Sequence, residues 1–147
     1  DTETFLYAYP LDNIEPFTIV LHQPGLLHEL RWDGNDKHEK ALDIANNYIW
    51  SSSTLYTDQV IEYRKNLFDR FIHSADGITA ATVHDFHASN NGDAENGFVI
   101  SRQTGMKTFS ITQAVVQNNA VNFSHADLLQ GKRYSETMLI NHTAIKI

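Results

Sequence analysis

The sequence predicts an α+β domain in which strands come first, two helices follow and strands return. Residues 17–32 combine an apolar run with alternating apolar and polar residues, which is typical of strands. Residues 57–73 place apolar side chains at helical spacing. After Gly97, β-branched and aromatic residues return in strand-like runs. Because strands and helices are grouped, we expect a layered α+β domain and not alternating βαβ units.

The composition and charge of the chain exclude several classes of function. The chain of 147 residues fits one domain, has a net charge of −7, and scatters its 11 Lys and Arg along the sequence. We therefore expect no nucleic-acid partner, which needs clustered cations. No run of about 18 apolar residues occurs, so we expect no membrane span. The first residues lack the regions of a signal peptide, and we expect a cytoplasmic protein. The absence of cysteine excludes disulfides and thiol nucleophiles within this chain.

The first predicted strand covers Phe17 to His22, and a tight turn through Pro24 leads into its return strand. The return strand places Leu26, His28, Leu30 and Trp32 on one face. His28 lies among apolar residues there, and a core histidine bonded to a backbone carbonyl is a better interpretation than a metal ligand. Lys37 to Leu42 continues the meander, and Tyr48 to Trp50 is predicted as a further short strand.

Two helices follow. Thr57 is suited to cap the first, with Asp58 in its first turn, and the helix is expected to reach His73. The second is predicted over residues 78–88, with Ile78, Thr82 and Phe86 on its inner face, and it ends before Asn90-Asn91-Gly92.

A hairpin is then predicted, in which residues 97–102 pair with residues 107–115. Residues 121–124 are expected to add another strand. The sequence after Gly131 gives no clear pattern.

Arg64 falls inside the apolar stripe of the first helix, which consists of Val60, Ile61, Leu67, Phe68, Phe71 and Ile72. Its side chain should lean towards the loop that precedes the helix, and a buried guanidinium needs partners. One interpretation is structural: Arg64 reaches solvent or holds that loop by hydrogen bonds. The other is functional: Arg64 recognises an anion or carbonyl in a pocket lined by Ser51, Ser52, Ser53 and Thr54.

Five stretches of the chain form a recognisable series: "NIEPFTIVL" (13–21), "LHELRWDG" (27–34), "YIWSSSTLYTDQVIEYRKNLF" (48–68), "VHDFHASNNGDAENGFVISR" (83–102) and "KTFSITQA" (107–114). In sequence and in order they resemble the NRDE family, also called the transport-and-Golgi-organisation-like proteins. The resemblance implies part of an αββα layered sandwich like that of N-terminal-nucleophile hydrolases, which act on amide bonds. It also implies that Ser52, Ser53, Thr54 and Arg64 lie near the substrate, with Arg102 as a weaker candidate.

The family's nucleophile is an N-terminal cysteine followed by an Asn-Arg-Asp-Glu motif, and neither occurs here. We therefore expect the C-terminal part of a longer family domain, with a small-molecule ligand or substrate and no catalytic residue of its own. No cofactor is expected. Two alternatives stay open: a binding or trafficking module for haem or lipid-related ligands, or half a core that pairs with its missing N-terminal part or with itself.

His84 and His87 are spaced by three residues on the second predicted helix, so one turn could present both rings to a metal ion. Since Ile78 and Phe86 are expected to define the buried face, His84 should lie well away from it. A solvated pair is the better interpretation, and we expect no metal site.

Overall fold

The computed structural model describes residues 7–23, 25–52, 54–74 and 77–140. Two compact units divide the chain, an N-terminal unit over Asp1–Arg70 and a C-terminal unit over Phe71–Ile147. The described part is mixed α+β, with two antiparallel three-stranded sheets and two helices of eight residues or more. The predicted order of strands, two helices and strands is confirmed at this level.

The sheet of the N-terminal unit is a meander of β1 (Phe17–Gln23), β2 (Leu26–Trp32) and β3 (Lys37–Leu42). In register, Thr18 faces Arg31 across β1 and β2, and Glu29 faces Lys40 across β2 and β3. Because side chains alternate along a strand, these four residues share one face of the sheet. The three strands predicted for this unit's meander are confirmed.

The opposite face carries the apolar core of this unit. Leu30 on β2 and Leu11 before β1 are each 7% exposed. The segment before β1 is tied to this face by hydrogen bonds: the Trp32 indole donates to the Ile14 carbonyl at 2.9 Å, and Lys37 Nζ donates to the Tyr9 carbonyl at 2.8 Å.

The turn between β2 and β3 is organised by Asp33. Its carboxylate accepts the backbone N–H groups of Asn35 at 2.9 Å and Asp36 at 2.8 Å, and it lies 2.7 Å from Nε2 of His38. The Asp36 N–H and then the His38 ring hold the pKa of Asp33 well below its ordinary value.

Helix α1 (Asp58–Ile72) follows. Thr57 caps it as predicted, since its hydroxyl accepts the Val60 N–H at 3.4 Å and its carbonyl accepts the Ile61 N–H at 3.0 Å. The predicted stripe is confirmed, because every apolar residue in it is half-buried and Arg64 is the buried residue of the helix.

The C-terminal unit contains helix α2 (Ala80–His87), which begins at a capping box formed by Thr79 and Thr82. The Phe86 ring of this helix lies between two other rings, 4.6 Å from Phe71 and 4.4 Å from Phe98. Phe98 and Ile100 are 8% and 6% exposed, so the loop after α2 supplies much of this unit's core.

The second sheet is formed by β4 (Ser110–Gln117), β5 (Ala120–Asp127) and β6 (Lys132–Leu139). Asn118 and Asn119 turn β4 into β5 with φ values of 47° and 61°, which asparagine tolerates better than most residues. The strand predicted over residues 121–124 is confirmed and is longer than expected, whereas the sequence did not indicate β6.

Three predicted elements are wrong in part. Residues 48–50 form no strand, because they run over the face of the first sheet instead of pairing with its edge. Residues 97–102 form a loop with a single bridge between Ser101 and Lys107, so the predicted hairpin keeps only its second arm. Ile78 precedes the Thr79 cap and is 47% exposed, so it does not lie on the inner face of α2.

Candidate functional site

The main candidate site is a cleft of about 290 Å³ in the N-terminal unit, which we call the cationic cleft. One wall is the sheet face that carries Thr18, Glu29, Arg31 and Lys40. The segment after β3 adds Trp50 and Ser51, and helix α1 adds Ile61 and Lys65. The cleft therefore lies between the sheet, the segment that carries Trp50 and Ser51, which we call the serine segment, and helix α1.

Strand register brings the sheet residues together. Arg31 lies opposite Thr18 on β1, and Lys40 lies opposite Glu29, which comes two residues before Arg31 on β2. Directly opposed side chains in an antiparallel pair have Cβ atoms about 5 Å apart. Lys65 approaches from α1, one residue beyond the buried Arg64. Cations that are distant in sequence thus converge on one concavity.

The charges of the cleft are unbalanced. The side chains of Arg31, Lys40 and Lys65 make no hydrogen bond or ion pair within the part of the chain that the structure describes. The one carboxylate in the lining belongs to Glu29, and its Oε2 accepts the Trp50 indole N–H at 2.8 Å. Three cations thus line the cleft with one anion, which makes no ion pair among the described residues, in a chain whose net charge is −7.

An apolar wall adjoins these cations. The rings of Tyr48 and Trp50 stack with centroids 5.7 Å apart and an interplanar angle of 29°. Leu42, Ile49 and Ile61 complete this wall. The hydrogen bond to Glu29 fixes the orientation of the Trp50 ring. The cleft thus combines a positive end with a rigid aromatic surface, a pairing suited to small organic anions.

The predicted serine residues reach the cleft only in part. Ser51 lines the cationic cleft, and Ser51 and Ser52 both line a neighbouring cleft of about 240 Å³ beside Pro16 and Phe17. Thr54 is exposed, and Ser53 lies outside the described residues. The cations Arg31, Lys40 and Lys65 were not predicted as site residues, because nothing in their sequence spacing joins them.

Arg64 is 8% exposed. Its guanidinium carbon lies 4.4 Å from the centroid of the Tyr56 ring, which belongs to the loop between Ser51 and the helix. This geometry is a cation–π contact. Arg64 therefore contacts the loop that carries Ser51 through an aromatic ring. The hydrogen bonds to this loop that the structural interpretation expected, and direct contact of Arg64 with a ligand, stay predictions.

Arg102 lies in the C-terminal unit and supports the loop after α2. Its Nε donates to the Glu95 carbonyl at 2.8 Å. In the same loop, Asp93 accepts the side-chain and backbone N–H groups of Asn96, and these bonds lower the pKa of Asp93. Arg102 thus stabilises a tight loop.

A second cleft, of about 390 Å³, lies in the C-terminal unit and is lined by His84 and His87 of α2, by Phe98 and by residues of β4; we call it the histidine cleft. The expected solvated pair is wrong: the His84 side chain is 16% exposed, and the His87 ring lies 5.4 Å from that of Phe98. The reason is that α2 is covered on more than one side: His84, Phe86 and His87 are all half-buried, so the buried surface is wider than the single stripe expected from Ile78 and Phe86.

The remaining predicted histidine, His28 on β2, contacts Glu39 on β3, and its Nδ1 lies 3.2 Å from Oε1 of that side chain. A carboxylate is thus a partner of this ring. Among the described residues, no group of three or more His, Asp or Glu is arranged to hold a metal ion.

Comparisons with protein-family models, with curated proteins and with solved structures give no match for this chain. No helix in the described ranges is long and apolar enough to cross a membrane. The geometry of the two clefts is therefore the basis for assigning a function to this chain.

Proposed function

We propose that this chain is the ligand-binding C-terminal part of an NRDE-family protein with a hydrolase-like αββα fold, and that the cationic cleft binds a small anionic molecule. The chain contains no cysteine, so the role proposed for it is recognition of the ligand and not the covalent step of amide-bond hydrolysis.

One observation carries this proposal: three cations without protein partners in the described chain line a cleft that also holds an aromatic wall. A concave site lined by one sign of charge concentrates the field and attracts ligands of the opposite sign. The local excess of cations is opposite in sign to the net charge of the whole chain, which is −7.

Each residue has a role in the proposed complex. Arg31 offers the forked donors that suit a carboxylate or phosphate, while Lys40 and Lys65 add positive charge from two other elements. Ser51 and Thr18 present hydroxyls without a protein partner among the described residues. Arg64 acts indirectly, because its contact with Tyr56 positions the loop that carries Ser51.

The test is binding of phenyl phosphate, measured by isothermal titration calorimetry. We expect Lys40→Gln and Lys65→Gln each to weaken binding about tenfold or more, because a hydrogen bond to a charged group contributes about 1.5–3 kcal/mol. Lys132→Gln is the matched control, since Lys132 is an exposed lysine on β6. Equal affinities for the three variants and the wild type would refute the proposal.

A second candidate function is a haem-binding module that uses the histidine cleft. The observation in its favour is that His84 and His87 line one cleft together with Phe98, where neutral imidazoles could approach a metal centre. The test is a haem titration followed by the Soret band, with His84→Ala and His87→Ala compared with His22→Ala on β1. A band unchanged by the first two variants would exclude this function.

A further inference from the structure

The charges of the cationic cleft determine what charge its ligand should have. Three positive side chains against one negative one leave two positive charges in excess. The Glu29 carboxylate makes no direct ion pair with a cation in the described chain, and its Oε2 accepts the Trp50 indole N–H. A monoanion would leave one of these positive charges unmatched.

We infer that the ligand is a small organic dianion whose charged group is joined to a flat apolar group. This inference rests on the proposed function and specifies its ligand class. The dianionic group is matched to Arg31, Lys40 and Lys65, and the flat group is matched to the Trp50 and Tyr48 wall.

The positions of the three cations support a ligand with two negative charges. Arg31 and Lys40 extend from adjacent strands on the same sheet face, and Lys65 faces them from α1. Cations that approach from two sides can contact different oxygens of one group. A phosphate monoester offers three such oxygens, and a dicarboxylate offers four.

The flat apolar group follows from the geometry of the wall. Tyr48 and Trp50 are both half-buried and already stacked, so their rings form a preorganised surface. Such a surface loses little conformational entropy on binding, and an additional aromatic contact contributes about 0.5–1.5 kcal/mol. Leu42 and Ile61 extend the surface away from the cations.

A series of three aromatic ligands that differ in charge tests the inference in the wild-type chain. Phenyl phosphate is a dianion at pH 7.5, phenylsuccinate is a dicarboxylate dianion, and benzenesulfonate is a monoanion. We expect both dianions to bind about tenfold or more tightly than benzenesulfonate, because each further charge-assisted hydrogen bond contributes at least about 1.5 kcal/mol. Whichever dianion binds more tightly identifies the ligand as a phosphate ester or a dicarboxylate.

Measuring the affinities of both ligands at two pH values separates the effect of ligand charge from that of titrating groups on the protein. The second pKa of a phosphate monoester is near 6, so phenyl phosphate is mostly a monoanion at pH 5. We expect its affinity to fall about tenfold between pH 7.5 and pH 5, relative to benzenesulfonate, which keeps one charge at both values. The Lys65→Gln variant should prefer dianions less strongly than the wild type.

The outcomes distinguish this inference from the proposed function. Equal affinities for benzenesulfonate and phenyl phosphate at pH 7.5 would overturn the dianion while leaving an anion site in place. Equal affinities for inorganic phosphate and phenyl phosphate would overturn the flat apolar group, since aromatic contact should give about two- to tenfold tighter binding. Failure of all probes to bind would refute both proposals.

Discussion

The contact between Arg64 and Tyr56 gives a prediction whose size follows from the structure. Cation–π contacts contribute about 0.5–1 kcal/mol when exposed and about 2 kcal/mol or more when desolvated. Arg64 is 8% exposed, Tyr56 is half-buried, and 4.4 Å separates the guanidinium carbon from the ring centroid. We therefore expect a coupling free energy of about 1.5 kcal/mol between the two side chains.

The assay is a double-mutant cycle with Arg64→Met and Tyr56→Leu, in which the free energy of unfolding is measured by urea denaturation. Each single variant should lower the stability, and the double variant should lose about 1.5 kcal/mol less than the sum of the two. An additive double variant, with coupling below about 0.3 kcal/mol, would refute the claim that this contact holds the serine segment.

Three further predictions concern other parts of the chain. Gly97→Ala should lower the free energy of unfolding by about 2–4 kcal/mol in urea denaturation, because its Cβ would meet the Asn90 backbone; little or no loss would contradict this packing. Asp33→Asn should be less stable than the wild type at pH 7. The pKa of the Asp33 carboxyl is lowered in the folded protein, so its charge stabilises the fold above pH 3.8, the ordinary pKa, and this stabilisation is lost as the pH falls through the folded-state pKa. The difference in free energy of unfolding between the wild type and Asp33→Asn should therefore become smaller in acid. A difference in free energy of unfolding that stays constant with pH would exclude an effect of the Asp33 charge. Glu29→Gln should tighten phenyl phosphate binding about three- to tenfold by calorimetry, since an amide oxygen can still accept the Trp50 N–H; weaker binding would contradict the charge argument.

The elements that the sequence predicted well are those whose pattern is local. Helix α1 repeats its apolar residues at helical spacing, and the structure places the buried Arg64 within that stripe. The meander of β1 to β3 follows from alternation and from turns at Gly25 and Gly34, where φ is positive. In these segments, a single periodicity and a recognisable turn determine the local structure.

Other parts depend on contacts that are distant in sequence. Phe98 and Ile100 look like strand residues, but they are buried in a loop whose backbone is held by Asp93 and Arg102. All residues of β6 are exposed, so it has no buried face from which alternation could predict it.

The candidate site was only half predictable. Of the residues predicted from the sequence, Ser51 lines the cationic cleft, and Arg64, noticed because a cation within an apolar helical stripe is unusual, contacts the loop beside it. The three cations of the cleft come from different elements: Arg31 from β2, Lys40 from β3 and Lys65 from α1. Strand register brings the first two together, and the packing of α1 brings Lys65 to them. Their lack of partners in the described chain cannot be read from the sequence at all.

The most direct measurement uses the two tryptophans of the chain as internal probe and control. Trp50 lines the cationic cleft, whereas the Trp32 indole is bonded to the Ile14 carbonyl on the other face of the sheet. In a ¹⁵N-labelled sample titrated with phenyl phosphate, we expect the Trp50 indole signal to shift and the Trp32 signal to stay in place. Equal shifts of both signals, or none in either, would contradict a specific anion site in this cleft.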